Sequence, residues 1–383
     1  FLAPAAAASA YRMVAQASRH PGDQLPVFGE AHQHRGAAAA QIAHGATPLA
    51  FTIAGFVALL TTYSYAKLSV AFPSQGGTIT FLDRAFGPGL FAGSLNILLW
   101  LSYIIMLSLY AYAFGSYAAV FLPPEWQGAG KHIFISLGIV GITALNLLRA
   151  AVIGRAERWI VAFKIGILLV FVAIGLWSVD PQKLLPGEWA APVQIVAGGF
   201  IIFLAYEGFE LIANAAQDAR NPSRTLPRAY YSAVLFVIAL YVLVAIVTVG
   251  NLSIPMIIDA QDYALAAAAS PFLGNTGFTL VAIAALLSTA SAINATLYGA
   301  ARLSYIIARE DELLDVLERR IWNKPILGLL ITTGLTLVAA NWLDLNSIAT
   351  IGSAGFLLIF SAVNVANVIL RKQTGSLGWI SGV

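Results

Sequence analysis

Cysteine is absent from all 383 residues, so no disulfide framework and no thiol chemistry are available. Charge is scarce as well. Asp, Glu, Lys and Arg together make up 10% of the chain against 59% hydrophobic residues, and the mean hydropathy is +0.80. Soluble domains carry about 25% charged residues, so the bulk of this chain is not one. Catalytic sets are missing too. Apart from one glutamate pair there is no histidine–carboxylate or serine–lysine arrangement at membrane depth, which speaks against an intramembrane enzyme. No repeated acidic residue or ring-forming filter sequence speaks for a channel. His32 and His34 alone do not make a metal centre, and no cofactor is expected. The net charge of +3 sits in loops and does not indicate a nucleic-acid partner.

What the chain does have is long apolar runs. A spanning helix needs about 20 mostly apolar residues. Nine stretches approach this: 47–71, 89–121, 132–149, 159–179, 193–216, 229–250, 275–308, 325–342 and 346–370. The sequence therefore predicts an all-α, polytopic membrane protein, with the lipid bilayer as its first partner. The stretches 89–121 and 275–308 are long enough to tilt or to project beyond the hydrocarbon.

Orientation follows from the basic residues between the spans. One set of loops carries Arg84, Arg149, Arg155, Arg158, Arg220, Arg224, Arg228, Arg309, Arg319, Arg320, Lys324, Arg371 and Lys372; the other carries only Lys131 and Lys183. The first set is expected to be cytoplasmic, with the C-terminal end inside. The segment 309–324, with acidic residues around Leu313, Leu314 and Leu317, is expected to be a short surface helix.

Within the run from Val193 to Gln217 lies the most informative stretch, Ala205-Tyr206-Glu207-Gly208-Phe209-Glu210. A charged side chain near the bilayer centre costs roughly 2.5–3.5 kcal/mol on insertion scales. Two of them beside a helix-weakening glycine predict a discontinuous helix at a polar cavity, where carriers hold substrate. Freed backbone groups there can bind a substrate's carboxylate and ammonium. Tyr206 and Phe209 can close over the ligand, Glu207 can hold an ammonium, and Glu210 completes the candidate substrate-binding set. The alternative is that both glutamates bond neighbouring helices. Ser288, Thr289, Ser291, Asn294 and Thr296 lie on a small-residue helix and either line a cavity or bond neighbours. Gly93, Gly115, Gly352 and Gly355 suit close helix packing. Tyr103 and Tyr110 face either the pathway or other helices.

Several ordered motifs carry a resemblance. They are Tyr63-Ser64-Tyr65-Ala66-Lys67-Leu68 followed by Phe72-Pro73-Ser74-Gln75-Gly76-Gly77-Thr78; Glu207-Gly208-Phe209-Glu210 continuing to Asn221-Pro222 and Leu226-Pro227; Tyr298-Gly299-Ala300-Ala301-Arg302-Leu303-Ser304-Tyr305; and Ile351-Gly352-Ser353-Ala354-Gly355-Phe356 with Asn364 and Asn367. Over roughly 45–372 these resemble the amino acid–polyamine–organocation (APC) superfamily of permeases. The resemblance implies a five-plus-five inverted repeat whose first and sixth helices are broken at the substrate site. It makes 47–71 the second helix and 346–370 the tenth. It also places Lys164 where several proton-coupled permeases carry a lysine whose ammonium stands in for a bound sodium ion. A desolvated ammonium can release and regain a proton during a cycle. The alternative is that Lys164 snorkels to the surface. Ser288 and Ser291 fall where sodium-coupled relatives bind the ion, so Lys164, Ser288 and Ser291 form the candidate coupling set.

The expected organisation is an irregular extramembrane segment over 1–45, a permease domain over 46–372 and a polar stub over 373–383. Phe28-Gly29-Glu30-Ala31 resembles the stretch just after the family's first helix, yet 11–27 is polar and proline-containing. The first helix and the family's eleventh and twelfth are not found in the sequence. The expected function is a secondary carrier of amino acids or related amines in the plasma membrane, that of a bacterial inner membrane, proton-coupled or exchanging. The alternative is a truncated product that inserts without transporting.

Overall fold

The computed structural model describes residues 43–148, 150–260, 263–309 and 326–377. The expected irregular segment lies outside this description except for its last three residues. The expected surface helix lies outside it but for Arg309, and so do the last six residues of the stub.

The described chain is helical, as the scarcity of charge and the long apolar runs require. The elements are α1 (Thr47–Ala71), the short α2 (Thr78–Phe86), α3 (Leu90–Ala119), α4 (Pro124–Leu148), α5 (Ala150–Gly175), α6 (Pro192–Phe203), α7 (Pro222–Asn251), the short α8 (Ile254–Ala260), α9 (Ala264–Arg309), α10 (Ile326–Trp342), α11 (Leu345–Ile369) and the single turn α12 (Arg371–Thr374). Among the described residues, seven helical segments are long and apolar enough to cross a membrane, with Ala162–Ser178 and Ile326–Trp342 as shorter apolar helices. All nine stretches are thus largely helical, but α10, at 17 residues, rises only about 26 Å. That falls a little short of the ~30 Å hydrocarbon layer. Proline sits in the first turn of α1, α6 and α7, where its missing N–H costs nothing. α9 is two helices joined across a kink, with non-helical geometry at Gly274.

Packing follows an exchange rule. Pair α1 with α7, α3 with α9, α4 with α10 and α5 with α11. Then α3 packs on α4 as α9 does on α10, α3 on α10 as α9 on α4, α3 on α11 as α9 on α5, and α1 on α11 as α7 on α5. The contacts α1–α7, α3–α9 and α4–α10 map onto themselves. The short helices α2 and α8 follow α1 and α7 in the same relation. Each member lies five spans along the chain from its partner, an odd number, so the two sets run in opposite senses. This is an inverted repeat.

Two groups emerge. α3, α4, α9 and α10 are joined by buried polar contacts: Trp100 Nε1 donates to Thr332 Oγ1 at 3.2 Å, Thr143 and Thr333 hydroxyls meet at 3.0 Å, and Asn146 Nδ2 donates to Asn294 Oδ1 at 2.7 Å. Each interhelical bond of this kind contributes about 0.6–2 kcal/mol in a bilayer. α1, α6 and α7 form the other group, in which Gly199 brings α6 against the Ala50 carbonyl and Ile53 of α1.

Candidate functional site

The run over 193–216 does not make one helix. α6 ends at Phe203, a 3₁₀ turn covers Leu204–Tyr206, and a second 3₁₀ segment runs Phe209–Asp218. Between them Glu207 is extended, with ψ 150°, and Gly208 is left-handed, with φ 115°. A residue with a Cβ avoids that conformation, so the glycine is the local cause of the break.

Glu210 holds the break from within. Its Oε2 accepts the Gly208 N–H at 2.6 Å, and its Oε1 accepts the Tyr103 hydroxyl of α3 at 3.0 Å. Glu207 stands at the same break. Both side chains are buried, at 4% and 1% exposure.

The flanking aromatics are committed to packing. Tyr206 donates its hydroxyl to the Phe51 carbonyl at 2.8 Å and packs against the Tyr241 ring at an interplanar angle of 57°. Phe209 meets Tyr65 at 5.5 Å and Phe360 at 5.4 Å between ring centroids. Tyr65 in turn bonds Thr78 at the start of α2 at 3.0 Å. The rings of α1, the broken helix and α11 therefore form one cluster directly beside Gly208. Edge-to-face pairs such as Tyr65–Phe209 contribute about 0.5–1.5 kcal/mol beyond burial.

Motifs far apart in sequence meet here. Gly77 lies so close to the Asn214 side chain that a Cβ would collide with it. Arg302 Nη2 donates to Gln75 Oε1. Asn364 and Asn367 donate to Thr61 and Ser64.

The candidate coupling set lies elsewhere. Lys164 is fully buried, although Ala162 and Phe163 beside it are exposed. Burial removes the snorkelling alternative. α5, which carries it, packs on α9, which carries Ser288 and Ser291. Ser288 is fully buried and its hydroxyl has no hydrogen-bond partner among the described residues. Among the described residues there is no group of three or more His, Cys, Asp or Glu that could hold a metal.

Tyr103 is the residue that sequence reasoning left undecided. Nothing in the sequence separates it from Tyr110, two turns along the same helical face; only the docking of α3 on the break does so.

The chain matches the family described as Amino acid permease over residues 29–382. It is 40% identical over 342 residues to an uncharacterized protein of Methanocaldococcus jannaschii, covering 88% of this chain and 78% of that one. It is 35% identical over 341 residues to the inner membrane transport protein YbaT of Escherichia coli, with the same coverage. The branched-chain amino acid permease BcaP of Lactococcus lactis is 26% identical over 359 residues, covering 85% and 74%.

Proposed function

This chain belongs to the amino acid permease family, a multi-pass membrane transporter rather than an enzyme, and on that footing we propose that it is a secondary carrier of amino acids or related amines. The observation that carries the reading is the broken helix at Glu207–Gly208, whose irregular backbone lies buried at membrane depth beside two carboxyls. Irregular backbone is tolerated inside a membrane only where protein or a water-filled cavity satisfies it. Carriers use such breaks to hold zwitterionic substrates. In this reading the backbone around Gly208 takes the amino-acid group, and the packed rings of Tyr206 and Phe209 wall the site. Glu207 faces the ammonium, and Glu210 keeps the break open by holding the Gly208 amide. Relatives named for branched-chain amino acids and for lysine agree with a zwitterionic substrate and leave its side chain open.

Proton coupling through Lys164 is the second part of the proposal. A fully buried ammonium is costly, and one packed toward the Ser288 hydroxyl's helix gives that cost a use: proton release during the cycle. The carrier sits in the cytoplasmic membrane, with the basic loops and the C-terminal end inside.

The test is uptake of labelled amino acids and diamines by the full chain in proteoliposomes under an imposed pH gradient. Saturable, gradient-driven accumulation is expected. A folded, inserted protein that accumulates none of them refutes the carrier reading and leaves a membrane protein that does not transport.

A further inference from the structure

The register of α1 against α7 gathers three cations at the basic end of the molecule. The Ser69 and Tyr230 hydroxyls meet at 2.9 Å, Gly55 lies against Ile238, and the Phe51 and Tyr241 ring centroids are 6.2 Å apart. Numbers that fall along α1 pair with numbers that rise along α7, so the two helices are antiparallel. Continued along the pair, this register sets Lys67 level with Arg228, Tyr63 with Tyr231 and Phe56 with Phe236. Arg224 lies one turn before Arg228. Lys67, Arg224 and Arg228 have no carboxylate partner among the described residues.

The outward positions recur at helical spacing. Phe56, Tyr63 and Lys67 share one face of α1, and Arg224, Arg228, Tyr231 and Leu235 share one face of α7. Phe56 is 60% exposed and Leu235 51%. From the basic end inward, the seam between the two helices therefore runs from cation to phenol to exposed apolar side chain.

The far end of the chain supplies a third wall. The backbone turns at Gly375, in left-handed geometry, and passes beside α1. There Lys67 Nζ donates to the Gly375 carbonyl at 3.1 Å, and the Tyr63 hydroxyl accepts the Leu377 N–H at 2.7 Å. Lys67 Nζ also stands 5.9 Å from the centre of the Tyr63 ring. These contacts hold both side chains in place without neutralising the charge. An ammonium carries three donors, and the carbonyl engages one of them.

The inverted counterpart of this place differs in its chemistry. At the other ends of α1 and α7 the segment 176–190 closes over the pair. The Glu188 carbonyl accepts the Gly45 N–H, and the Gly250 carbonyl accepts the Asp180 N–H, both at 3.0 Å. The charges of that segment are Asp180, Lys183 and Glu188, two acids and one base. The fold relates the two ends, yet only one carries unmixed positive charge. Loop charge that sets membrane orientation explains the sign of that end. It does not require the cations to converge on a seam lined by tyrosines and exposed apolar side chains.

We propose that this seam binds an anionic phospholipid. Lys67, Arg224 and Arg228 hold the phosphate, Tyr63 and Tyr231 flank the glycerol region, and an acyl chain lies along Phe56 and Leu235. Basic pockets between spanning helices suit such headgroups, whereas a free phosphate would leave the apolar part of the seam unused. In the orientation proposed above, the lipid belongs to the cytoplasmic leaflet. The site goes beyond the carrier reading and is measured without transport.

In the first arm the full chain, in a neutral detergent, is titrated with phosphatidylglycerol, phosphatidylcholine or glycerol phosphate while thermal unfolding is followed. Saturable stabilisation by phosphatidylglycerol alone is expected. A cation near a membrane surface adds roughly fivefold to the affinity for anionic lipid, so Lys67→Gln with Arg228→Gln should raise the half-saturating concentration by about 25-fold. Arg84→Gln is the control: Arg84 lies at the same end but over the Phe72 ring, and its loss should leave the titration unchanged. Equal action by glycerol phosphate or phosphatidylcholine, absence of saturation, or equal shifts in the two variants overturns the proposal.

The second arm leaves the three cations intact. Because the chain holds no cysteine, Leu235→Cys carries a single fluorophore beside the seam, and Leu330→Cys carries one at an exposed position on α10. In mixed vesicles, phosphatidylglycerol brominated on its acyl chains should quench the Leu235 label more than equally brominated phosphatidylcholine at the same mole fraction. At Leu330 the two lipids should quench alike. Equal quenching at Leu235, or the same preference at both positions, overturns the proposal.

Discussion

Replacing Gly208 by alanine isolates the break from everything around it. At φ 115° an L-residue is strained, and such geometry costs roughly 1–3 kcal/mol. The chain has one way to escape that cost: return residue 208 to a negative φ and give up the 2.6 Å bond from its N–H to Glu210. A hydrogen bond to a charged group contributes about 1.5–3 kcal/mol. The cheaper route sets the outcome, so the substitution destabilises the broken conformation by at most about 3 kcal/mol. That corresponds to roughly a tenfold to a hundredfold loss in the population competent to bind. The assay pairs ligand-dependent thermal stabilisation with uptake in proteoliposomes, using Gly166→Ala as the control. Gly166 lies in α5 with open space where a methyl group would stand, and alanine there favours the helix by up to about 1 kcal/mol. Gly208→Ala should raise KM by about tenfold or more, with the control unchanged. If the two variants behave alike, the glycine does not set the break and the site lies elsewhere.

Three other outcomes follow from the same geometry. Lys164→Gln should abolish pH-driven accumulation while sparing substrate exchange, since a buried amide cannot cycle a proton; a normal response to the gradient would remove Lys164 from coupling. Single cysteines at Asp344 and Arg224 should divide by an impermeant thiol reagent in intact cells, Asp344 labelling and Arg224 not, and the reverse pattern would invert the topology. Gly115→Ala should loosen the α3–α4 contact, because its Cβ would press on the Lys131 carbonyl and the Ile135 backbone. We expect a loss on the order of 1–3 kcal/mol in resistance to thermal unfolding, and wild-type stability would show that α3 and α4 can shift apart freely.

How far the sequence reaches can be judged helix by helix. Hydropathy places 47–71 on the residues of α1, and 346–370 within a residue of α11. It starts another span at 132, whereas α4 begins at Pro124. Glu125, Gln127 and Lys131 are helical but lie beyond the apolar layer, and hydropathy records only what lipid covers. The stretch beginning at 275 coincides with the break at Gly274, beyond which α9 continues backwards to Ala264. The broken helix is legible because glycine and charge are each costly where they stand. Glu210's partners are not. Which tyrosine of α3 reaches the carboxylate, and whether Lys164 points inward or to the surface, depend on the rotation of whole helices about their axes. That rotation is set by packing, and no local pattern encodes it.

The lengths of α3 and α9 have a consequence for the surroundings of the protein. α3, at 30 residues, is about 45 Å long, and α9 is longer still. The two pack against each other at the centre of the repeat, so they lean together to fit an apolar layer of ~30 Å. Lipid acyl-chain length thereby becomes a mechanical input: thicker bilayers stand the pair upright and thinner ones lay it down. The angle of the face on which α11 rests changes with them.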